Sequence, residues 1–394
     1  MKIGLLGHGV VGSGLAQIVS AGGTKALQQM EFTKILVKDR GECMDERFTL
    51  QADEIINDEE IEVICECMGG VEPAFTYVNT ALSRGKYVVT SNKKMLATRL
   101  KELMETAEKH GTGIACEATT GGGIYWIASL ARTNRVDRVT SFRGIFNGTT
   151  NYILSRMTDE QKEFADLLKK AQALGYAEQD PTDDVDGFDV RYKTVISCVH
   201  AFGVCPEVES VPVYGIGNIR QVDIAYAASI GKCIKLLGRG CYENDILSAC
   251  VMPVLLNAGE PLAQVADNFN MIESYSPHLG RAAYMGQGAG SLPTAHAMAE
   301  DLADYLEGCE IKSAGIKKPH NDRTRITWTR ADNSREEGFY YIRTNREEAF
   351  GGYIAKHLEN GSFLTGKMTM TELADCVRAA GDETIFVAEV ADRD

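Results

Sequence analysis

The sequence predicts an α/β protein: a doubly wound parallel sheet first, then an α+β domain, then a small C-terminal α+β module. Three observations carry that reading. Strand-like and helix-like segments alternate over residues 1–130, and a glycine-rich turn sits directly after the first strand. Beyond Thr133 the alternation gives way to long helical stretches flanked by short strands. At 394 residues the chain also exceeds the usual size of one domain.

The elements follow in order. An apolar strand, Ile3 to Leu6, enters the glycine turn, and a helix follows with Val11, Leu15, Ile18 and Val19 on one face. A second strand, Ile35 to Val37, ends at Lys38-Asp39-Arg40. Further strands are expected at Val63 to Cys67, Tyr87 to Thr90 and Gly113 to Cys116, with helices at Pro73 to Arg84 and Ala97 to His110 between them. Strands separated by helices imply parallel crossovers. In the next region, strands at Val139 to Ile145 and Ser248 to Met252 flank helices at Thr158 to Leu174 and Val190 to Phe202. A glycine-rich piece, Tyr284 to Ser291, precedes a helix from Thr294 to Leu306. Lys317 to Asn333 reads as a polar linker, and Gly338 to Ala391 as a strand–helix–helix–strand module. The resulting units are 1–130, 131–284, a returning segment at 285–310, and 335–394.

Composition narrows the function. The 41 basic and 55 acidic residues give a net charge of −14, which argues against nucleic-acid binding, since phosphate backbones call for basic patches. No uncharged apolar stretch is long enough to suggest a membrane helix, and the N-terminus lacks the basic region and apolar run of a secretory leader. Eleven cysteines without a framework fit reduced thiols in the cytoplasm. Cys65 and Cys67 lie two apart on a strand and are expected to pack on one face. His200 is expected in a core or an interface.

Gly7-His8-Gly9-Val10-Val11-Gly12 matches G-x-G-x-x-G between a strand and a helix, the Rossmann-type dinucleotide fingerprint. The first glycine allows the tight turn, the second lets the backbone approach a pyrophosphate, and the third lets helix and strand pack closely. Helix amides at Val10 and Val11 then face the phosphates. At the end of the second strand, Asp39 suits the ribose 2′-hydroxyl of NAD, whereas Lys38 and Arg40 suit the 2′-phosphate of NADP, so both cofactors stay open. Gly69 and Gly70, and Ser91-Asn92-Lys93-Lys94, follow strand ends where open α/β sheets gather their ligands.

Several long runs resemble homoserine dehydrogenases. They are Cys67-Met-Gly-Gly, Val89-Thr-Ser-Asn-Lys-Lys, Glu117-Ala-Thr-Thr-Gly-Gly-Gly-Ile and Gly144-Ile-Phe-Asn-Gly-Thr-Thr-Asn-Tyr-Ile-Leu. Ala171-Gln-Ala-Leu-Gly-Tyr-Ala-Glu-Gln-Asp-Pro-Thr-Asp-Asp-Val-Asp-Gly-Phe-Asp and Gly286-Gln-Gly-Ala-Gly-Ser-Leu-Pro-Thr-Ala follow, so the resemblance spans about residues 1–310. It implies that Lys193 is the proton donor and acceptor, and that Lys93 contacts the cofactor beside the substrate. It places Gly175, Glu178, Asp184 and Asp189 around homoserine, and the Gly286 to Gly290 turn, with Gly288, at the nicotinamide end. It further implies a monovalent cation, Na⁺, on main-chain carbonyls of Glu117, Thr120, Gly122 and Ile124, and a homodimer or homotetramer built through the α+β substrate domain. Two departures stand out. Tyr125-Trp126 replaces the proline usual after Gly123-Ile124, beside the expected cation. The C-terminal module looks like a divergent ACT domain, but Glu347-Glu348-Ala349-Phe350-Gly351-Gly352 replaces the Asp-x-Pro-Gly effector turn, which favours packing or oligomerisation over threonine binding. The fingerprint at residue 7 places no aspartokinase ahead of the nucleotide unit.

The residues themselves suit that chemistry. Aldehyde reduction needs a hydride donor, a proton for the forming alkoxide and a grip on the substrate. Glu178, Asp180, Asp183, Asp184, Asp186 and Asp189 supply anions for an α-ammonium, and Asp189 and Lys193, four apart, share one helix face. Asp184-Val-Asp186-Gly187 resembles the middle of a calcium loop, yet Gly187 in the sixth place puts Thr182 first and Lys193 twelfth, so calcium is rejected. Two rival functions remain: a phosphorylating semialdehyde dehydrogenase, which needs an activated cysteine, and a catalytically silent NAD(P)-binding sensor.

Overall fold

The computed structural model describes residues 1–308 and 326–391. The chain opens with β1 (Lys2–Leu6), α1 (Val10–Ala21), β2 (Glu31–Leu36), β3 (Phe48–Thr49), α2 (Asp53–Ile56), β4 (Val63–Glu66), α3 (Ala74–Ser83), β5 (Tyr87–Thr90), α4 (Lys93–His110) and β6 (Ile114–Ala115). These six strands form one parallel sheet in the order β3-β2-β1-β4-β5-β6. The strand order reverses beside β1, which puts the ligand crevice at the carboxyl ends of β1 and β4. Nearly continuous apolar runs such as Ile3-Gly-Leu-Leu6 are what a sheet covered on both faces requires.

The second unit holds α5 (Trp126–Thr133), β7 (Ser141–Ile145), α6 (Gly148–Glu160), α7 (Phe164–Ala173), α8 (Thr182–Val185), α9 (Phe188–Phe202), β8 (Val204–Pro206) and α10 (Gln221–Ser229). The long hairpin β9 (Lys232–Glu243) and β10 (Ile246–Asn257) and the pair β11 (Phe269–Ser276) and β12 (Gly280–Gln287) follow. Then α11 (Ser291–Leu306) returns to the first unit: Ala295, Met298 and Leu302 share a core with Leu15 of α1 and Leu5 of β1. The remaining elements are β13 (Thr327–Thr329), β14 (Glu337–Gly338), β15 (Tyr340–Arg343), β16 (Ile354–His357), β17 (Phe363–Thr365), β18 (Met368–Thr369), α12 (Met370–Ala380) and β19 (Phe386–Val390). A mixed sheet runs β12-β11-β7-β9-β10-β19-β15-β17-β16. Helix α9 is buried on nearly every side, between that sheet and α4.

Four expectations are corrected. The helix expected over Thr158 to Leu174 is two helices, because Gln161 turns left-handed (φ 53°) at the end of α6. The long strands β9 and β10 were read only at Ser248 to Met252, since Lys235, Arg239 and two glycines obscure the alternation. The part of the expected linker up to residue 325 lies outside the described residues, and Thr327–Thr329 beyond it is a strand paired with β8. The C-terminal stretch contains one α-helix rather than two, and it is no separate layer: β19 pairs in parallel with β10, and Tyr340, Ile342 and Val387 share a core with Leu237, Met252 and Val254.

A buried ion pair anchors that C-terminal extension. Asp223 of α10, with no exposed surface, accepts from Arg343 Nε (2.9 Å), Arg343 Nη2 (3.0 Å) and Tyr341 Oη (2.7 Å) on β15. Removing one partner strands the other charge in the interior. Asp223→Ala is therefore expected to lower the unfolding free energy by about 3–5 kcal/mol in urea titrations; a loss below about 1 kcal/mol would contradict this account.

Candidate active site

The glycine turn has the geometry of a pyrophosphate cradle. Gly7 takes φ +97°, and a Cβ on it would stand 3.0 Å from the Cys67 carbonyl. A Cβ on Gly12 would lie 2.0 Å from the Gly7 carbonyl, so only glycine lets α1 start this close to β1. Gly9 faces open space, Val10 is exposed, and no side chain caps α1, which leaves its first amides available to an anion. Those residues fit a dinucleotide. Past β2, Lys38, Asp39 and Arg40 are all exposed, and none makes a side-chain hydrogen bond among the described residues.

Two further loops meet the turn at the carboxyl ends of β4 and β5. Gly69 and Gly70 both lie in the left-handed region (φ 77° and 71°). Asn92 caps α4 by accepting from Met95 N (3.1 Å), which starts the helix at Lys93, four residues earlier than the sequence suggests.

From the other unit, α9 presents Asp189 and Lys193 on one buried face. Lys193 Nζ donates to Asp189 Oδ2 and to the Phe146 carbonyl, each at 2.7 Å. Lys93 Nζ lies 3.3 Å from the other oxygen of Asp189, so one carboxylate joins lysines from both units. Asn147 completes the cluster, donating to Asp184 Oδ1 (2.7 Å) and Asp189 Oδ2 (2.8 Å). Burial pushes the Asp189 carboxyl up, but Lys193, Lys93 and Asn147 together hold it well below the usual carboxylate range. Asp184 shifts the other way, raised by burial and by the neighbouring charge of Asp189. The Asp189 charge raises the Lys93 ammonium.

Not every expected residue joins this cluster. Gly175 (φ 76°) and Glu178 are exposed in the turn after α7, and the Glu178 carboxylate makes no hydrogen bond among the described residues. That turn is tied to the site through Thr149 Oγ1, which donates to the Tyr176 carbonyl at 2.6 Å. Asn147 and Thr149 were missed as site residues, although the quoted Asn147-Gly-Thr-Thr-Asn-Tyr run contains both. His200 is half-buried near the end of α9: burial lowers its imidazole to about 4, and Nε2 lies 3.5 Å from Cys116 Sγ.

The 117–124 loop packs against the returning segment. Gly121 and Gly122 are left-handed, Gly123 N donates to the Gln287 carbonyl (3.0 Å), and a Cβ on Gly122 would lie 2.5 Å from the Gly288 backbone. A Cβ on Gly286 would meet Ile124 at 3.1 Å. The buried Glu117 carboxylate caps α5, accepting from Ile127 N (3.0 Å) and Ala128 N (2.7 Å), and Asp301 of α11 accepts from Glu117 N (3.0 Å). Thr120 and Ile124 are buried in the same loop, while Tyr125 is half exposed.

A dinucleotide cradle in one unit and a buried lysine–carboxylate cluster in the other define the class, an oxidoreductase that uses a nicotinamide cofactor. Comparison with known proteins gives the family. Residues 126–303 match the model of the homoserine dehydrogenase family, and residues 7–117 match that of the homoserine dehydrogenase NAD-binding domain. The chain is 35% identical over 324 residues to the homoserine dehydrogenase of Bacillus subtilis, covering 80% of this chain and 75% of the relative. It is 39% identical over 317 residues to that of Synechocystis, covering 78% and 73%. Its fold matches the crystal structure of a homoserine dehydrogenase from Thiobacillus denitrificans with a TM-score of 0.86 and 28% identity, covering 100% of this chain and 98% of the other. A hyperthermophilic archaeal homoserine dehydrogenase, solved in complex with NADPH, shares the fold at a TM-score of 0.67 and 24% identity over 78% of this chain and 98% of that one. The chain belongs to the homoserine dehydrogenase family.

Glu117 makes stability pH-dependent. Burial raises its carboxyl from 4.5 to about 7, against the pull of the α5 amides, and Asp301 beside it is raised by burial as well. The folded state therefore binds these protons more tightly than the unfolded chain. The associated stability is complete below the ordinary carboxylate range and is lost as pH rises through about 7. Urea titrations across that range are expected to show the unfolding free energy falling with pH, and Glu117→Gln is expected to flatten the fall. An unchanged slope in the variant would remove Glu117 as its source.

Proposed function

We propose that Lys193 supplies and takes the proton in the reversible NAD(P)-dependent reduction of L-aspartate 4-semialdehyde to L-homoserine. The observation that carries this is its hydrogen-bond inventory. Two of three ammonium hydrogens are held by Phe146 O and Asp189, and the third has no partner among the described residues. A buried ammonium aimed by two fixed acceptors is poised to protonate an alkoxide, and the same amine takes the proton back when homoserine is oxidised. The bound nicotinamide supplies or accepts the hydride.

The other roles follow from charge. Asp189 orients Lys193 and also engages Lys93, the part-exposed first residue of α4. Asp184, raised in pKa by burial and by the neighbouring Asp189 carboxylate, suits the substrate ammonium, whose charge offsets that repulsion. Glu178 and Gly175 line the exposed rim. Gly7, Gly9, Val10, Val11 and Gly12 hold the pyrophosphate, Gly69, Gly286 and Gly288 border the nicotinamide, and Lys38, Asp39 and Arg40 face the adenosine ribose. The three exposed side chains accommodate either NAD or NADP. Main-chain oxygens of Glu117, Thr120, Gly122 and Ile124 would supply a hard, all-oxygen donor set, which suits Na⁺ rather than a transition metal.

The enzyme works as a homodimer or homotetramer in the cytoplasm, in threonine and methionine biosynthesis. No helix among the described residues is long and apolar enough to cross a membrane. The phosphorylating alternative is disfavoured because burial pushes up the thiols of Cys65, Cys67 and Cys116, the opposite of an activated nucleophile. A silent sensor has no use for an ordered lysine–carboxylate cluster.

Lys193→Ala is expected to lower kcat for homoserine oxidation by about 100-fold or more, while the Kd for NAD(P) changes less than about two-fold. Steady-state rates with each cofactor, with and without Na⁺ or threonine, and a fluorescence titration of the reduced cofactor measure both. Parallel loss of turnover and cofactor binding would point to a folding role instead.

A further inference from the structure

We propose that Glu66 is a positioning residue for hydride transfer, a buried carboxylate that locks the 67–70 loop and the start of α4 into one arrangement. The inference rests on the roles given above to Gly69 and Lys93. Glu66 is the last residue of β4, at the crevice end of the sheet, and has no exposed surface. No lysine or arginine is paired with it among the described residues. Its oxygens accept from neutral donors instead, among them Met68 N at 2.8 Å and Asn92 Nδ2 at 3.3 Å on Oε1, and Thr90 Oγ1 at 2.6 Å on Oε2.

Those donors belong to the two loops that flank the nicotinamide end of the crevice. Met68 opens the turn that contains Gly69 and Gly70. Asn92 caps α4 and, with Nδ2, also donates to the Gly70 carbonyl at 2.7 Å. Thr90 in turn accepts from Asn92 N at 3.0 Å. One carboxylate thus sets the glycine turn, the helix cap and the backbone from which Lys93 leaves for Asp189. The turn it holds also touches the dinucleotide fingerprint, where Gly7 closes on the Cys67 carbonyl. The adenosine-side residues 38–40 receive nothing from this network.

A glutamate that acts by geometry tolerates an amide. Gln at position 66 keeps an acceptor at Oε1 and donates from Nε2 to Thr90, whose hydroxyl has lone pairs to accept. A glutamate that acts by its charge does not tolerate it. Both loops are short and close to the reacting atoms, where a displacement of 1 Å costs about 100-fold in rate.

The test compares Glu66→Ala, Glu66→Gln and Thr90→Val by homoserine-dependent reduction of NAD(P), by affinity for ADP-ribose, which lacks the nicotinamide, and by thermal unfolding. Glu66→Ala is expected to lower kcat by about 10- to 100-fold, with Gln restoring it to within about three-fold of the parent. Thr90→Val, which keeps the side-chain volume and removes only the hydroxyl, is expected to lower kcat several-fold, and ADP-ribose affinity is expected to stay within about two-fold throughout. Unchanged kcat in both Ala and Val variants overturns the proposal. So does a Gln variant as impaired as Ala, or ADP-ribose affinity lost in step with kcat. Lys93→Met, measured alongside, separates this from the reading beneath it: full turnover there removes the role of Lys93, while Glu66 is judged on its own rates.

Discussion

The Asp189 carboxylate is the constraint on which the site depends. It is buried, which alone disfavours its charge, and it stays ionised because three donors converge on it. They come from three places in the chain: Lys193 one turn along the same helix, Asn147 at the end of β7, and Lys93 at the start of α4 in the nucleotide unit. An unpaired carboxylate in that interior would cost more than the pairing returns, so the fold has to bring all three together. The two units are therefore joined by charge where their chemistry meets.

How much of this can be read from a sequence depends on the range of the interaction. The G-x-G-x-x-G turn is legible because each glycine answers a local demand: Gly7 for its positive φ, Gly12 for its contact with Gly7. The Asp189–Lys193 pair is legible because helical periodicity puts the two on one face. Asn147 and Glu66 look like an ordinary asparagine and a charged strand residue, and their roles exist only once strands distant in sequence are adjacent. The homoserine dehydrogenase resemblance covered what periodicity could not, naming Lys93 and Lys193, but it singled out neither Asn147 nor Glu66.

The long hairpin β9–β10 escaped for a related reason. Lys235 interrupts its apolar pattern, yet the side chain is buried, donating to Asn151 Oδ1, Ser155 Oγ and the Val265 carbonyl, all neutral acceptors. Burial lowers its pKa as a consequence. Arg239 likewise breaks the pattern and pairs with Glu389 of β19. Charges that signal solvent in a sequence here signal long-range partners. The same Arg239–Glu389 pair explains why the C-terminal stretch is not an independent module: it extends the sheet whose other strands carry α9.

That continuity bears on regulation. A separate ACT-like domain would pass a ligand signal through a linker, with the catalytic sheet free to ignore it. Here β19 is hydrogen-bonded to β10, β10 pairs with β9, and α9 lies on both β9 and β10. Close packing makes such a stack stiff, so a displacement of β19 is borne by the surface that supports Asp189 and Lys193. A stretch built this way stabilises the active site by being folded, whatever binds to it. Changes in the C-terminal core, at Phe363 or Phe386 for example, thus reach the surface beneath Asp189 and Lys193 through the sheet.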